Sequence, residues 1–210
     1  MIPTKEEMTR AMEQRHGKAL QESFSKAVVA VCGLGGLGSN IAVSLARAGI
    51  GKLILIDFEK VDITNLHRQQ YKATQIGEYK TDALFKNLKE IAPYIELEVH
   101  TACVDEANAL ELLGGADIIC EAFDRAECKA MIVNTVLEKM PDKYLVAGSG
   151  MAGIGSANSI KTRRVTKHFY LCGDEVSDVS EGIGLFSSRV MLCAAHQAHM
   201  VLRILAGESE

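Results

Sequence analysis

Six cysteines are spread through the 210 residues, at Cys32, Cys103, Cys120, Cys128, Cys172 and Cys193, and no two of them form a C-x-x-C pair. A zinc site of the paired-knuckle kind is excluded on that spacing. Cys32 and Cys120 fall in apolar runs, where a cysteine acts as a small buried hydrophobe, and no disulfides are expected. No apolar stretch approaches the ~20 residues of a membrane span. The first residues, "MIPTKEEMTRAMEQRHGK", carry charges of both signs where a signal peptide would be apolar, so a cytoplasmic protein is expected. An excess of positive charge is missing too. Lys and Arg number 23 against 27 Asp and Glu, for a net charge of -4 and a pI near 5.9. Nucleic acid is therefore not an expected general partner, because phosphate neutralisation needs a basic face. Repeats, linkers and low-complexity tracts are absent. One domain over 1–210 is expected, with an N-terminal helix over 1–24, a nucleotide-binding core over 25–150, and C-terminal strands and a helix over 151–210.

What is present is a regular alternation. Thr4 and Glu7 match a capping box, and a helix is expected from there to about residue 24. "KAVVAVCG", "KLILIDF", "IELEVHT", "ADIICEAF" and "KYLVAGSG" read as strands, with helical stretches between them. Strands alternating with helices predict an α/β fold: a Rossmann-like, mostly parallel sheet with helices on both faces. Beyond Gly150 the pattern changes. "GIGSANSI" and "TKHFYLCG" suggest short antiparallel strands, "GDEVSDVSEGIG" a polar acidic loop, and 186–205 a final helix.

The first strand runs into "GLGGLGSN", with Gly33, Gly35, Gly36 and Gly38. Glycines at a strand-to-helix turn let the backbone approach a phosphate, and the helix N-terminus then faces the anion. Ser39 and Asn40 are placed to add side-chain contacts. The bland alternative is that the glycines serve only helix–strand packing. The second strand ends at Asp57, near the ~20-residue spacing of a ribose-binding acid. This fingerprint favours a nucleotide but does not choose NAD over ATP.

The residues after Asp57 bear on that choice. Asn65, Arg68 and Gln69 in "DFEKVDITNLHRQQ", and Lys80 in "IGEYKTDAL", bring donors and cations toward the glycine loop, which suits a triphosphate. Surface charges are the alternative for Arg68 and Lys80. At the end of the fourth strand, "CEAFDRAECK" sets Asp124 on the carboxyl edge of the sheet. There it is placed to hold Mg²⁺ beside phosphates, or to cap the next helix.

Together "GLGGLGS", "DFEKVDITNLHRQ", "GEYK" and "EAFDRAECK" resemble the ThiF/MoeB/HesA family of the ubiquitin-activating-like superfamily, and most of all its short ThiF type. The resemblance implies an adenylyltransferase that uses ATP and Mg²⁺. The C-terminal glycine carboxylate of a small ubiquitin-fold sulfur carrier, ThiS-like and so of thiamine biosynthesis, would become an acyl-AMP. By position, Asp57 would bind the ribose, Arg68 and Lys80 the triphosphate with Asn65 and Gln69 beside them, and Asp124 the metal. Gly36 would mark the closest approach of backbone to the reacting phosphate. In relatives an N-terminal arginine acts across a homodimer; Arg15 is the first choice here and Arg10 the second. Cys172 stands where some relatives bond covalently to the carrier, but as a strand residue with Asp174 and Glu175 nearby it reads as buried and inert. His196 and His199, three apart on the last helix, are expected to pack or face solvent rather than bind metal. The runners-up are activation of a MoaD-type carrier, a tRNA threonylcarbamoyladenosine dehydratase and, in a different class, an NAD-dependent oxidoreductase.

Overall fold

The computed structural model describes residues 2–208. Two short helices come first, α1 (Lys5–His16) and α2 (Lys18–Lys26). The Thr4–Glu7 capping box forms as expected, but the expected single helix is divided at Gly17. That glycine has φ 86°, which ends α1 and turns the chain so that α2 can lay Gln21 and Phe24 into the body of the protein.

The alternation then follows the sequence pattern: β1 (Val28–Cys32), α3 (Gly36–Ala48), β2 (Lys52–Ile56), α4 (Lys80–Ile91), β3 (Glu96–His100), α5 (Ala109–Leu113), β4 (Ile118–Glu121), α6 (Ala126–Lys139) and β5 (Tyr144–Gly148). A hairpin, β6 (Lys161–Arg164) with β7 (Phe169–Gly173), and the long helix α7 (Ser187–Leu205) complete it. The seven strands form one sheet in the order β3-β2-β1-β4-β5-β7-β6, parallel except for β6 at its edge.

Strand residues alternate between two apolar layers, as the pleat requires. Val29, Val31, Leu53, Leu55 and Cys120 face α3, α4 and α7; Ala30, Cys32, Ile54, Ile56 and Ile119 face α5 and α6. One expectation fails locally. "GIGSANSI" is not a strand. Ser156 caps a 3-10 turn over Ala157–Ser159, and the carbonyls of Gly155 and Ser156 are taken by the buried guanidinium of Arg189, so pairing begins only at Lys161.

From β1 the chain steps outward to β2 and β3, then returns to place β4 on the other side of β1. A crevice opens at such a reversal, beyond the carboxyl ends of the strands. Here it lies between the ends of β1 and β4.

Candidate nucleotide site

The glycine loop occupies that crevice. The amide of Gly33 donates to Ile56 O at 2.9 Å, and that of Ala122 to Cys32 O at 2.8 Å, so three strand ends are tied at one point. The four glycines answer different demands. Gly33 has φ 87°, and a Cβ on it would stand 2.8 Å from Ala122 O. A Cβ on Gly38 would lie 1.8 Å from Gly33 O, so helix α3 can leave the strand only through glycine here. Gly36 is shaped by packing: its Cβ would meet Val190 Cγ1 of α7 at 2.8 Å. Helix packing is thus one reason for glycine at this position, beside the expected approach to a phosphate. Gly35 is the open position, with only Gln69 Nε2 nearby at 3.7 Å. The amides that precede the first helical bond of α3, from Ser39 N to Gly35 O, are left open at its N-terminus, an arrangement that favours an anion.

Asp57 holds this loop in place. Its Oδ2 accepts from Leu34 N at 2.6 Å and its Oδ1 from Glu59 N at 2.7 Å, while Tyr71 OH donates to Leu34 O at 2.7 Å. Each carboxylate oxygen keeps acceptor capacity for a ribose hydroxyl. Burial pushes the Asp57 carboxyl above its usual range, opposed by the charge of Lys80 and by the two amides. Lys80 opens α4, is itself buried, and pairs with Glu59. The structure therefore brings Lys80 to the Asp57 corner rather than leaving it as a surface charge.

Arg68 and Gln69 follow a short 3-10 turn that Asn65 helps close, its Oδ1 accepting from Asp62 N at 3.0 Å. A Cβ on Gly36 would lie 3.6 Å from both Arg68 Cγ and Arg68 Nε, which places the arginine over the glycine loop. Arg68 Nη1 donates to Thr64 O at 2.9 Å, yet Arg68 Nε and Gln69 Oε1 are buried with no hydrogen-bond partner. Buried polar atoms without partners are costly, and these two lie side by side at the glycine loop, where polar atoms of a nucleotide would satisfy them. Ser39 and Asn40, expected to add ligand contacts, have their side chains engaged within the fold. Their side chains bond the loop carbonyls of Gly35 and Gly36 and stitch α3 to Arg68 and Gln70.

Asp124 is exposed at the end of β4, and its side chain makes no hydrogen bond among the described residues. Helix α6 is preceded by Arg125 at its N-cap, so the capping role for Asp124 is not observed. Among the described residues no group of three or more His, Cys, Asp or Glu converges. A lone carboxylate can serve Mg²⁺ only beside a nucleotide, because that ion keeps waters and would take its remaining ligands from the phosphates. Arg15 stands apart from all of these. It is in the last turn of α1, whose Met12 packs at Gly49, at the amino ends of the strands. Arg15 does not reach the loop of its own chain. Cys172 is buried beneath α7, with Thr162 Oγ1 3.5 Å from its sulfur; the same hydroxyl lies 3.0 Å from His196 Nδ1, giving that histidine an ordinary packing role.

Two ion pairs, each with one buried partner, were not signalled by any sequence pattern. Glu121 pairs with Lys129 at 3.0 Å, and Arg189 with Asp174. Each partner is a charged residue amid ordinary helical or loop spacing, and only the fold makes them meet. Arg189 gathers the carbonyls of Ala152, Gly155 and Ser156 and lines a cavity of about 490 Å³ with Ile154, Ile183 and Phe186.

The family model described as "ThiF family" matches residues 8–210. The "Sulfur carrier protein adenylyltransferase" of Thermus thermophilus is 32% identical over 134 residues, which is 61% of this chain and 49% of that protein. The "Adenylyltransferase and sulfurtransferase MOCS3" of Caenorhabditis briggsae is 34% identical over 137 residues, 64% of this chain and 33% of that protein. The chain thus spans a third to a half of these curated relatives. Among solved structures, the E. coli tRNA N6-threonylcarbamoyladenosine dehydratase TcdA in complex with ATP superposes with a TM-score of 0.86 at 19% identity, over 99% of this chain and 98% of that one. E. coli MccB with succinimide gives 0.70 at 21% identity, over 91% of this chain and 59% of the other. At these identities the two structures show a shared fold.

Proposed function

The chain belongs to the ThiF family, and from that premise we propose that it is an ATP-dependent adenylyltransferase acting on the C-terminal glycine carboxylate of a small ubiquitin-fold sulfur carrier, of the ThiS type. The observation that carries this reading is the unpartnered, buried pair Arg68 Nε and Gln69 Oε1 over the glycine loop, beside Asp57 and Lys80. A nicotinamide site needs the loop and the ribose acid but gives no reason for a buried cationic edge next to them.

The carrier carboxylate attacks the α-phosphorus of ATP, the bond from that phosphorus to the bridging oxygen breaks, and pyrophosphate leaves with the electron pair. The nucleophile is already ionised, so no general base is required. The protein must align the reactants and screen negative charge. Asp57 would take the ribose, the α3 amides and Gly35 the phosphates, and Arg68 with Lys80 the developing charge. Asp124 would hold Mg²⁺, which when bound neutralises phosphate charge. The same reading makes 1–210 one functional unit, a cytoplasmic homodimer in which Arg15 serves the partner's site.

ATP–pyrophosphate exchange tests this. Exchange that requires a carrier ending in Gly-Gly is the expected result. NAD binding without any exchange would sink the reading. Comparing thiamine-type with molybdopterin-type carriers separates ThiS from MoaD activation. A second reading is favoured by the near-complete mutual coverage with the TcdA structure, in which case the activated carboxylate belongs to threonylcarbamoyladenosine on tRNA. Exchange that depends on modified tRNA and ignores carriers would select it.

A further inference from the structure

Glu121 is buried at the end of β4, three residues before Asp124. Both of its carboxylate oxygens lie 3.0 Å from Lys129 Nζ, reaching back from α6, and Oε1 also accepts from Phe123 N at 2.7 Å. Lys129 donates a further bond to Gly148 O at the end of β5, at 2.9 Å. Behind them Gln197, a buried residue of α7, donates to Glu121 O at 2.9 Å and Val146 O at 3.2 Å. Four elements therefore meet at Glu121, its carboxylate taking Lys129 and Phe123 N and its backbone carbonyl taking Gln197, and the carboxylate holds the turn Ala122–Phe123–Asp124 by the Phe123 amide.

That grip matters because Asp124 has no side-chain bond of its own. Its location is set by the backbone, and the bond to Phe123 N is the constraint nearest to it. An apolar pair would fill this space without the desolvation that a buried Glu121 carboxylate and its half-buried Lys129 partner incur, so packing alone does not explain the choice.

We propose that Glu121 and Lys129 are positioning residues that hold Asp124 at the distance from the glycine loop where it can ligate a nucleotide-bound Mg²⁺. The inference rests on the assignment of Asp124 to the metal made above. It adds a requirement on two residues that need not touch ATP or metal.

The experiment is calorimetric ATP binding with and without Mg²⁺, the readout being the tightening that Mg²⁺ brings. Asp124→Ala should abolish the tightening. Lys129→Met should leave affinity in EDTA unchanged and lose about ten-fold of the tightening, the usual cost of removing a residue that orients a metal ligand. Lys129→Arg, which can still bridge Glu121 and Gly148, should restore most of it. Where the stranded carboxylate of Lys129→Met prevents folding, the double change Glu121→Met with Lys129→Met removes both charges and carries the same expectation. A normal Mg²⁺ response in a folded Lys129 variant, with Asp124→Ala unresponsive, overturns the positioning role alone. An Asp124→Ala chain that responds like wild type overturns the metal assignment, and the positioning role with it.

Discussion

Gly35 and Gly38 sit three positions apart in the same loop and are glycine for opposite reasons. The close approach of α3 to Gly33 O leaves no room for a methyl at Gly38, whereas Gly35 has open space in front of it. Gly38→Ala is expected to cost about 3 kcal/mol or more of stability, seen as a lowered denaturant midpoint, because the clash is with backbone. Gly35→Ala should keep its midpoint and instead weaken ATP binding in calorimetry. If both variants merely destabilise, the open space is not a phosphate seat. Arg68 makes a complementary test. Its protein bonds are local and exposed, from Nη1 to Thr64 O and the His67 ring, and its Nε has none, so Arg68→Ala should lower the melting temperature only slightly while pyrophosphate exchange falls about 100-fold, in the range of removing one transition-state donor. Unchanged exchange would remove Arg68 from the phosphate site.

At the scale of elements, α7 is more than a cover for the sheet. Its first turn carries Arg189, which ties the segment after β5 to the loop after β7 through Asp174. Burial works to raise the Asp174 carboxyl. The amides of Ser177 and Val176, the Ser177 hydroxyl and the Arg189 guanidinium outweigh it and bring the carboxyl from 3.8 down to about 2. A carboxyl whose folded value is depressed contributes stability that is present above its unfolded value and lost as pH falls toward the folded one. Wild type should therefore lose thermal stability between pH 4 and 2 more steeply than Asp174→Asn, with the two curves nearly parallel above pH 5. Equal steepness in both would show that the pair does not stabilise the fold.

The whole molecule poses the question of Arg15. It lies at the opposite end of the strands from the glycine loop of its own chain, so a catalytic part for it requires a second copy. Arg15→Ala and Arg68→Ala should each be inactive alone. Mixed after exchange of subunits, they should recover about a quarter of wild-type activity, since half of randomly formed dimers carry one intact composite site. No recovery, with exchange of subunits verified by mass, would exclude Arg15 as the trans residue. At this scale the fold and the site were not equally legible. The sheet and most of its helices could be read from apolar periodicity, because a strand or helix face is a local pattern. The split at Gly17 was missed because a single glycine within a helical pattern is tolerated as often as it breaks one. The strand expected over 153–160 does not form because its carbonyls answer to Arg189, 33 and 34 residues away in the chain.

By itself the sequence determined the α/β alternation, the glycine loop with its acid, and the family pattern in "DITNLHRQ", since each of these is written in contiguous residues whose spacing carries the chemistry. The tertiary structure decided what lies between segments. It packed Gly36 against Val190, spent Ser39 and Asn40 on internal bonds, buried Cys172, and set Glu121 against Lys129 behind Asp124. Burial and pairing are properties of which faces meet, and that is fixed only when the strands take their order in the sheet.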